Sequence, residues 1–257
     1  MRRPLLLAAA ALASGLSLAG LDAAFAAEEG QEIQHEAWSF YGILGTFDRA
    51  AEQRGFQVYK DVCANCHSLN LLAYRDLAEI GLSSEEVKAV AAGVEVQDGP
   101  NDQGQMFERP GKPSDPFKAP FANEQAARAA NNGALPPDLS LVVKARAGGP
   151  DYVYSVLTGF KEAPAGFKMA DGMNYNTAFA GHQIAMPPPL SEGVVTYADG
   201  TKASVPQMAH DVVTFLAWAA NPELETRHRL GVKSIIFLVI LAGLLFAVKR
   251  KIWADVH

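Results

Sequence analysis

The chain has 257 residues, 49% of them hydrophobic, with 22 Lys and Arg against 28 Asp and Glu for a net charge of −6. That length holds a packed core, and the acidic balance excludes nucleic acid as a partner while favouring a basic protein.

Residues 1–26, MRRPLLLAAAALASGLSLAGLDAAFA, begin with Arg2 and Arg3, continue as a Leu/Ala run and end in Ala24-Phe25-Ala26. A basic start, an apolar middle and an A-x-A end predict a cleaved secretory signal peptide. Ser14, Gly15, Ser17, Gly20 and Asp22 interrupt the run and argue against a transmembrane helix there.

In FDRAAEQRGFQVYKDVCANCHSL the apolar residues Ala50, Phe56, Val58, Val62 and Leu69 recur with charges between them, which predicts helix broken in two at Gly55. Ser83 and Ser84 before Glu85 and Glu86 mark the start of another. Residues 96–117 carry four prolines and three glycines without periodicity, a long loop of the kind that wraps a ligand. NEQAARAANNG predicts a short helix capped at Asn123 and stopped by Gly133. DLSLVVKARAG predicts one starting near Asp138, and GPDYVYSVLTGF a further one. Residues 162–193 form a second long irregular segment, and VVTYADGTKASV predicts a small hairpin across Asp199 and Gly200. QMAHDVVTFLAWAANPE is helical, with Val212, Phe215, Leu216 and Ala219 on one stripe.

LGVKSIIFLVILAGLLFAVKRKIW, residues 230–253, has no charge from Ser234 to Val248. With residues 230–233 included it reaches the length of a bilayer span, Lys233 snorkelling at one face and Trp253 suiting the other. Lys249, Arg250 and Lys251 place the C-terminus in the cytoplasm. The expected organisation is a signal peptide (1–26), an exported domain (27–229), a transmembrane helix (230–249) and a cytoplasmic tail (250–257). The exported domain keeps 16 basic and 26 acidic residues, a net charge of about −10.

Both cysteines of the chain lie in CANCH, Cys63 and Cys66, with His67 next. Residues three apart on a helix share a face, so the thiols can point the same way. A redox dithiol would normally follow a strand of a βαβ unit, and a structural zinc would need further ligands; neither pattern surrounds residue 63. C-x-x-C-H matches covalent haem attachment, in which the thiols add to two vinyl groups and the histidine becomes an axial ligand. A haem that carries electrons usually has a second axial Met or His. The candidates are Met106, Met169, Met173, Met186, Met208, His35, His182, His210, His228 and His257. Met186 is favoured because Pro187, Pro188 and Pro189 stiffen the chain after it; His182 remains a rival on chemistry alone.

RGFQVYKDVCANCHSL, EVQDGPNDQGQMFERPGKPSD, AARAANNGALPPDLSLVVKARAGGPDYVYSVLTGF, IAMPPPL and DVVTFLAWAANPE resemble the cytochrome c1 family, over the exported domain and the anchor. The resemblance implies a mainly α fold: a cytochrome c-type haem domain with long loops, plus one C-terminal transmembrane helix. It implies one covalent haem c, with Cys63 and Cys66 as thioether residues, His67 as proximal and Met186 as distal ligand. The carbonyl of Pro137 is then expected to accept the His67 ring N–H, and Arg146 and Tyr152 to bond a haem propionate. From the residues alone, Arg146 could equally be a surface ion pair and Tyr152 a packed aromatic.

The resemblance also implies the setting: the quinol-oxidising bc1 complex, ubiquinol–cytochrome c oxidoreductase, in the cell inner membrane with the haem domain periplasmic. The implied partners are cytochrome b, a Rieske iron–sulfur protein that donates the electron, and a soluble cytochrome c that accepts it, in a dimeric complex. One departure stands out. Some bacterial members stiffen the loop before the Met ligand with a disulfide, and this chain has no cysteine to spare.

Overall fold

A computed structural model describes residues 31–254. The expected signal peptide lies outside the described residues, as do the last three residues of the expected tail.

Helix α1 (Arg49–Asp61) starts where Asp48 accepts the amides of Ala50 and Ala51, two donors the helix cannot satisfy itself. It packs on α6 (Val205–Ala220), and this pair makes the most extensive contact between elements. Phe56 and Tyr59 of α1 meet Phe215 of α6 at ring-centroid distances of 5.7 and 5.8 Å. Met208, Val212, Val213 and Trp218 of α6 complete a core sealed from water. Gly55 does not break α1. A Cβ at that position would overlap the backbone carbonyl of Asp211, so glycine is what lets the two helices approach this closely. Arg54 then reaches the fully buried Asp211 with two bonds of 2.9 Å and Asp199 with a third. A paired guanidinium makes burial of that carboxylate tolerable.

Between these two helices the chain builds the surroundings of the site. A 3₁₀ segment (Tyr74–Ile80) ends at left-handed Gly81, and α2 (Ser84–Ala92) follows with the expected reciprocal capping of Ser83 and Glu86. Residues 96–117 are not simply irregular: β1 (Glu95–Asp98) pairs antiparallel with β2 (Phe107–Pro110), Glu95 opposite Pro110. Arg109 fastens this hairpin to Asp98 and, at 2.6 Å, to Asp115.

Helix α3 (Glu124–Ala130) is capped by Asn123 as expected. The helix expected near Asp138 is only a single turn, α4 (Val142–Ala145); one Asp138 carboxylate oxygen takes Ser68 Oγ and the Asn70 amide, and the other the Ser140 amide just downstream. Helix α5 (Gly149–Thr158) starts at left-handed Gly148 with Pro150 in its first turn. A two-residue pair, β3 (Asn174–Tyr175) with β4 (Gln183–Ile184), closes the second long loop.

The hairpin expected across Asp199 and Gly200 is not formed. A turn is present there, Gly200 N bonding Tyr197 O at 3.2 Å, but the flanking backbone is taken up elsewhere. Gln57 bonds Thr196 O, and the Glu192 carboxylate takes Val205 N.

After residues 221–223 the chain enters α7 (Leu224–Ile252), which starts six residues before the expected span. The molecule is thus mainly helical with one apolar C-terminal helix of 29 residues, which is long enough to cross a membrane and contains an 18-residue stretch apolar enough to do so, of mean hydropathy 2.5.

Candidate haem site

CANCH begins as α1 ends. The helix stops at Asp61, and residues 63–65 wind into one 3₁₀ turn that returns the amides of Cys66 and His67 to the carbonyl of Cys63. Asn65 caps the last carbonyls of the helix, at 3.3 Å from Asp61 O and 3.1 Å from Val62 O. The x positions of C-x-x-C are therefore not idle: Asn65 fixes the direction in which the motif leaves α1.

The Nδ1 of His67 lies 2.8 Å from the carbonyl of Pro137. A carbonyl only accepts, so Nδ1 carries the proton and Nε2 presents its lone pair. The Pro137 segment is itself held. Asp138 accepts from Ser68 Oγ (2.7 Å) and the amides of Asn70 (2.8 Å) and Ser140 (2.9 Å), and Leu139 N bonds Ser68 O (2.9 Å). Two stretches of chain 70 residues apart are thereby locked in register behind the imidazole. Burial pushes the Asp138 carboxyl up, but bonds from Ser140, Asn70 and Ser68 outweigh it and hold it below its ordinary value. Burial lowers His67, against the pull of Pro137 and Asp138.

Cys63 is half-buried against the main core and Cys66 is exposed, and the two are not joined to each other as a disulfide. Burial pushes the Cys63 thiol up to about 12. The described residues also hold no group of three or more His, Cys, Asp or Glu able to bind a metal ion, so zinc has no ligand set there. Two thiols on one turn, an imidazole with its free nitrogen turned away from its backbone partner, and a thioether farther along suit a haem.

The seven expected residues fall into two half-sites. Pro137 and Arg146 line a cavity of about 380 Å³ with Asn70, Leu71 and Leu141, beside the His67 contact. Arg146 is exposed, bonds its neighbour's carbonyl (Ala145 O, 3.2 Å) and makes no ion pair among the described residues. Tyr152 and Met186 belong to a separate apolar cluster around Val156, Ala178 and Ile184. Helix α5 bridges the halves, since Arg146 lies just before it and Tyr152 in its first turns. His182, the rival to Met186, stacks on Tyr175 with its Nδ1 3.3 Å from Asn176 O, engaged within the loop.

Sequence reasoning missed what holds that loop. Asn176 is fully buried: its Nδ2 donates to Val156 O (2.8 Å), and its Oδ1 accepts from Ala178 N (3.0 Å) and Phe179 N (3.1 Å). Gln183 accepts from Ala170 N (2.7 Å), and Asn174 donates to the carbonyl of Met186 (3.3 Å). The N-terminal segment adds a strap: Glu32 N bonds Thr177 O, Gln34 N bonds Ser155 Oγ, and Ile33 packs into the cluster that holds Met186. His35 and Trp38 donate to Asp151 at 2.8 and 2.6 Å, one residue before Tyr152. Side-chain amides and a strap hold the loop that leads to Met186. An Asn in a loop is too common for sequence to flag; only its burial marks it.

A family model described as the cytochrome C1 family matches residues 38–256. The chain belongs to the cytochrome c1 family. A relative named cytochrome c1 from Rhodospirillum rubrum is 46% identical over 263 residues, covering 96% of this chain and 97% of its own. The Arabidopsis thaliana cytochrome c1 1, named a mitochondrial heme protein, is 50% identical over 250 residues, 97% of this chain and 81% of that one. The cytochrome b/c1 of Bradyrhizobium diazoefficiens is 50% identical over 267 residues; 95% of this chain is covered, but only 39% of that longer protein. Membership in the cytochrome c1 family and the apolar α7 together make this a membrane-anchored electron-transport protein.

Proposed function

We propose that the chain is a membrane-anchored monohaem c-type cytochrome, the c1 subunit of a ubiquinol–cytochrome c oxidoreductase. It would take single electrons from a Rieske iron–sulfur protein and deliver them to a soluble cytochrome c. The observation that carries the reading is the 2.8 Å contact of His67 Nδ1 with Pro137 O directly behind CANCH. It sets the tautomer a metal-ligating imidazole needs and fixes the ring's orientation. When bound, the haem supplies a one-electron couple at its iron.

The chain's own residues then bind and orient. Cys63 and Cys66 would hold the macrocycle by thioether bonds, which would keep it in place outside the cytoplasm. His67 and Met186 would hold the iron, and a thioether ligand would favour the reduced state relative to two nitrogens. Arg146, which pairs with no carboxylate among the described residues, would offer its guanidinium to a propionate, and Tyr152 its hydroxyl from the other half-site. With both His67 and Met186 on the iron, no position would be left for a substrate, so the subunit would carry electrons without bond chemistry of its own.

Orientation follows from charge: Lys249, Arg250 and Lys251 stay on the cytoplasmic side and the domain is periplasmic. The domain's net charge of about −10 favours a basic soluble acceptor and makes the encounter salt-dependent. Cytochrome b would flank α7 in the membrane, in a dimeric complex.

Reduced-minus-oxidised spectra with and without CO test the ligation. A spectrum blind to CO at neutral pH is expected, and a CO-reactive haem would sink the six-coordinate reading. Met186→Leu should lower the midpoint potential sharply, and an unchanged midpoint would mean another residue ligates. Purification through the anchor in mild detergent should recover cytochrome b and a Rieske protein. Recovery with a terminal oxidase alone would move the subunit to another chain.

A further inference from the structure

Residues 37–47, AWSFYGILGTF, hold no charge in a domain that is otherwise strongly acidic. Their side chains divide by direction. Trp38, Phe40 and Phe47 turn inward and are 5–6% exposed, while Ile43 and Leu44 are each 78% exposed and Tyr41 52%. The turn is built, not loose: Tyr41 N bonds Trp38 O, Gly45 N bonds Gly42 O and Thr46 N bonds Ser39 O. Scattered exposed aliphatics are ordinary on a soluble surface, but three apolar side chains presented together on one bonded turn are not scattered.

What covers them follows from where the turn is fastened. Glu225 in the first turn of α7 accepts Phe47 N at 2.9 Å and the Arg49 guanidinium at 3.0 Å. His228 Nδ1 donates to Gly45 O at 3.0 Å. His228 precedes Leu230, the first residue of the apolar stretch, by two positions, about 3 Å of helical rise. The 29 residues of α7 measure about 43 Å, which matches a bilayer with its headgroup layers, and residues 230–249 match the hydrocarbon core alone. Gly45 is thus pinned at the height where α7 enters the headgroup layer. Leu44 and Ile43, one and two residues away, lie within about 8 Å of it along the chain.

We infer that residues 41–44 form a second membrane contact, with Ile43 and Leu44 seated in the lipid interface at the entry of α7 and Tyr41 at headgroup level. Tyr is suited to that layer by its apolar ring and polar tip. The inference rests on the reading of α7 as a membrane span. Continuity with that span, and a stretch of eleven residues without charge, favour lipid over a soluble protein, which would meet polar rim residues as well.

The test uses the full haem-loaded chain in lipid nanodiscs, spin-labelled singly through Ile43→Cys, Leu44→Cys, Leu241→Cys inside the span, or Lys88→Cys on the exposed surface of α2. Collision with oxygen, which concentrates in lipid, is compared with collision with a water-soluble nickel chelate. The labels at 43 and 44 should show an oxygen-to-nickel ratio several-fold above that at 88 and below that at 241. Ratios at 43 and 44 equal to that at 88, with 241 reading lipid, would overturn the contact and leave the anchor intact. A water-like ratio at 241 as well would remove the anchor and the contact together. Labels at 43 and 44 shielded from both reagents in nanodiscs of the purified complex would assign the turn to a protein neighbour and overturn the lipid contact.

Discussion

Asn176→Ala tests whether side-chain amides substitute for a disulfide in holding the Met186 loop. The Asn176 side chain makes three hydrogen bonds in a site closed to water, to Val156 O, Ala178 N and Phe179 N. At about 1 kcal/mol net for each, the closed loop loses about 3 kcal/mol. Since every 1.4 kcal/mol is tenfold, the open loop becomes about a hundredfold more populated. Hydrogen exchange at the Ala178 and Phe179 amides reports the loop itself and should quicken by about that factor. CO binding to the reduced protein reports the iron, because CO must wait for Met186 to leave; it should accelerate in proportion, and the midpoint potential should fall. Faster exchange with unchanged CO binding and midpoint would show that the loop does not govern the sixth ligand. Unchanged exchange would refute the network as the loop's support.

Gly55→Ala places a Cβ against the Asp211 carbonyl, which belongs to backbone and cannot rotate away, so α1 and α6 must part. A loss of about 3 kcal/mol, or roughly 6–12 °C in Tm, is expected in thermal unfolding of the haem-loaded chain. Glu52 is fully buried beside Arg49, and burial raises it to about 7 despite that partner, with Glu225 and Asp48 adding to the rise. A carboxyl raised on folding makes stability greatest below its unfolded value of 4.5 and declining as pH rises through about 7. Denaturation midpoints at pH 5 and 8 should diverge in the parent and stay closer in Glu52→Gln. Asp138 shifts the other way: its stabilisation is present above the ordinary carboxylate range and is lost as pH falls through its folded value. Asp138→Asn should cost about 2–3 kcal/mol at neutral pH, weaken the Pro137 contact to His67, and flatten the loss of stability on acidification below about pH 4.

Elements with a local cause were legible in the sequence. Ser83 and Glu86 announce α2, Asn123 announces α3, and the apolar stripe of α6 is the buried face. Gly55 was misleading because propensity argues for a break while a tertiary approach demands the glycine. The β1–β2 hairpin was hidden because its strands are four residues long and flanked by Pro and Gly, with Arg109 supplying what periodicity does not. The turn at Gly200 was legible and its strands were not, since Gln57 and Glu192 take the backbone groups a ladder would need. At the site, CANCH stands out by residue type and spacing, and Met186 stands out among ten candidates through the three prolines after it and the family resemblance. Asn176, Asp151 and the strap at residues 32–34 do not, because they act through contacts across more than a hundred residues of chain or through burial, and neither is written locally.

The way α7 begins has a consequence for how electrons can reach and leave this protein. Only residues 221–223 separate α6 from α7, Leu224 packs on the core of the domain, and Glu225 and His228 bond back to residues 45–49. No flexible linker lies between the domain and its post. The domain therefore cannot swing on a hinge to search for a partner, and the height and tilt of the redox centre above the bilayer are set by a continuous helix. Distance, the quantity to which tunnelling rates are most sensitive, is then fixed on this side of every exchange. Under the proposed function, donor and acceptor must then do the travelling, with this subunit as the stationary contact between them.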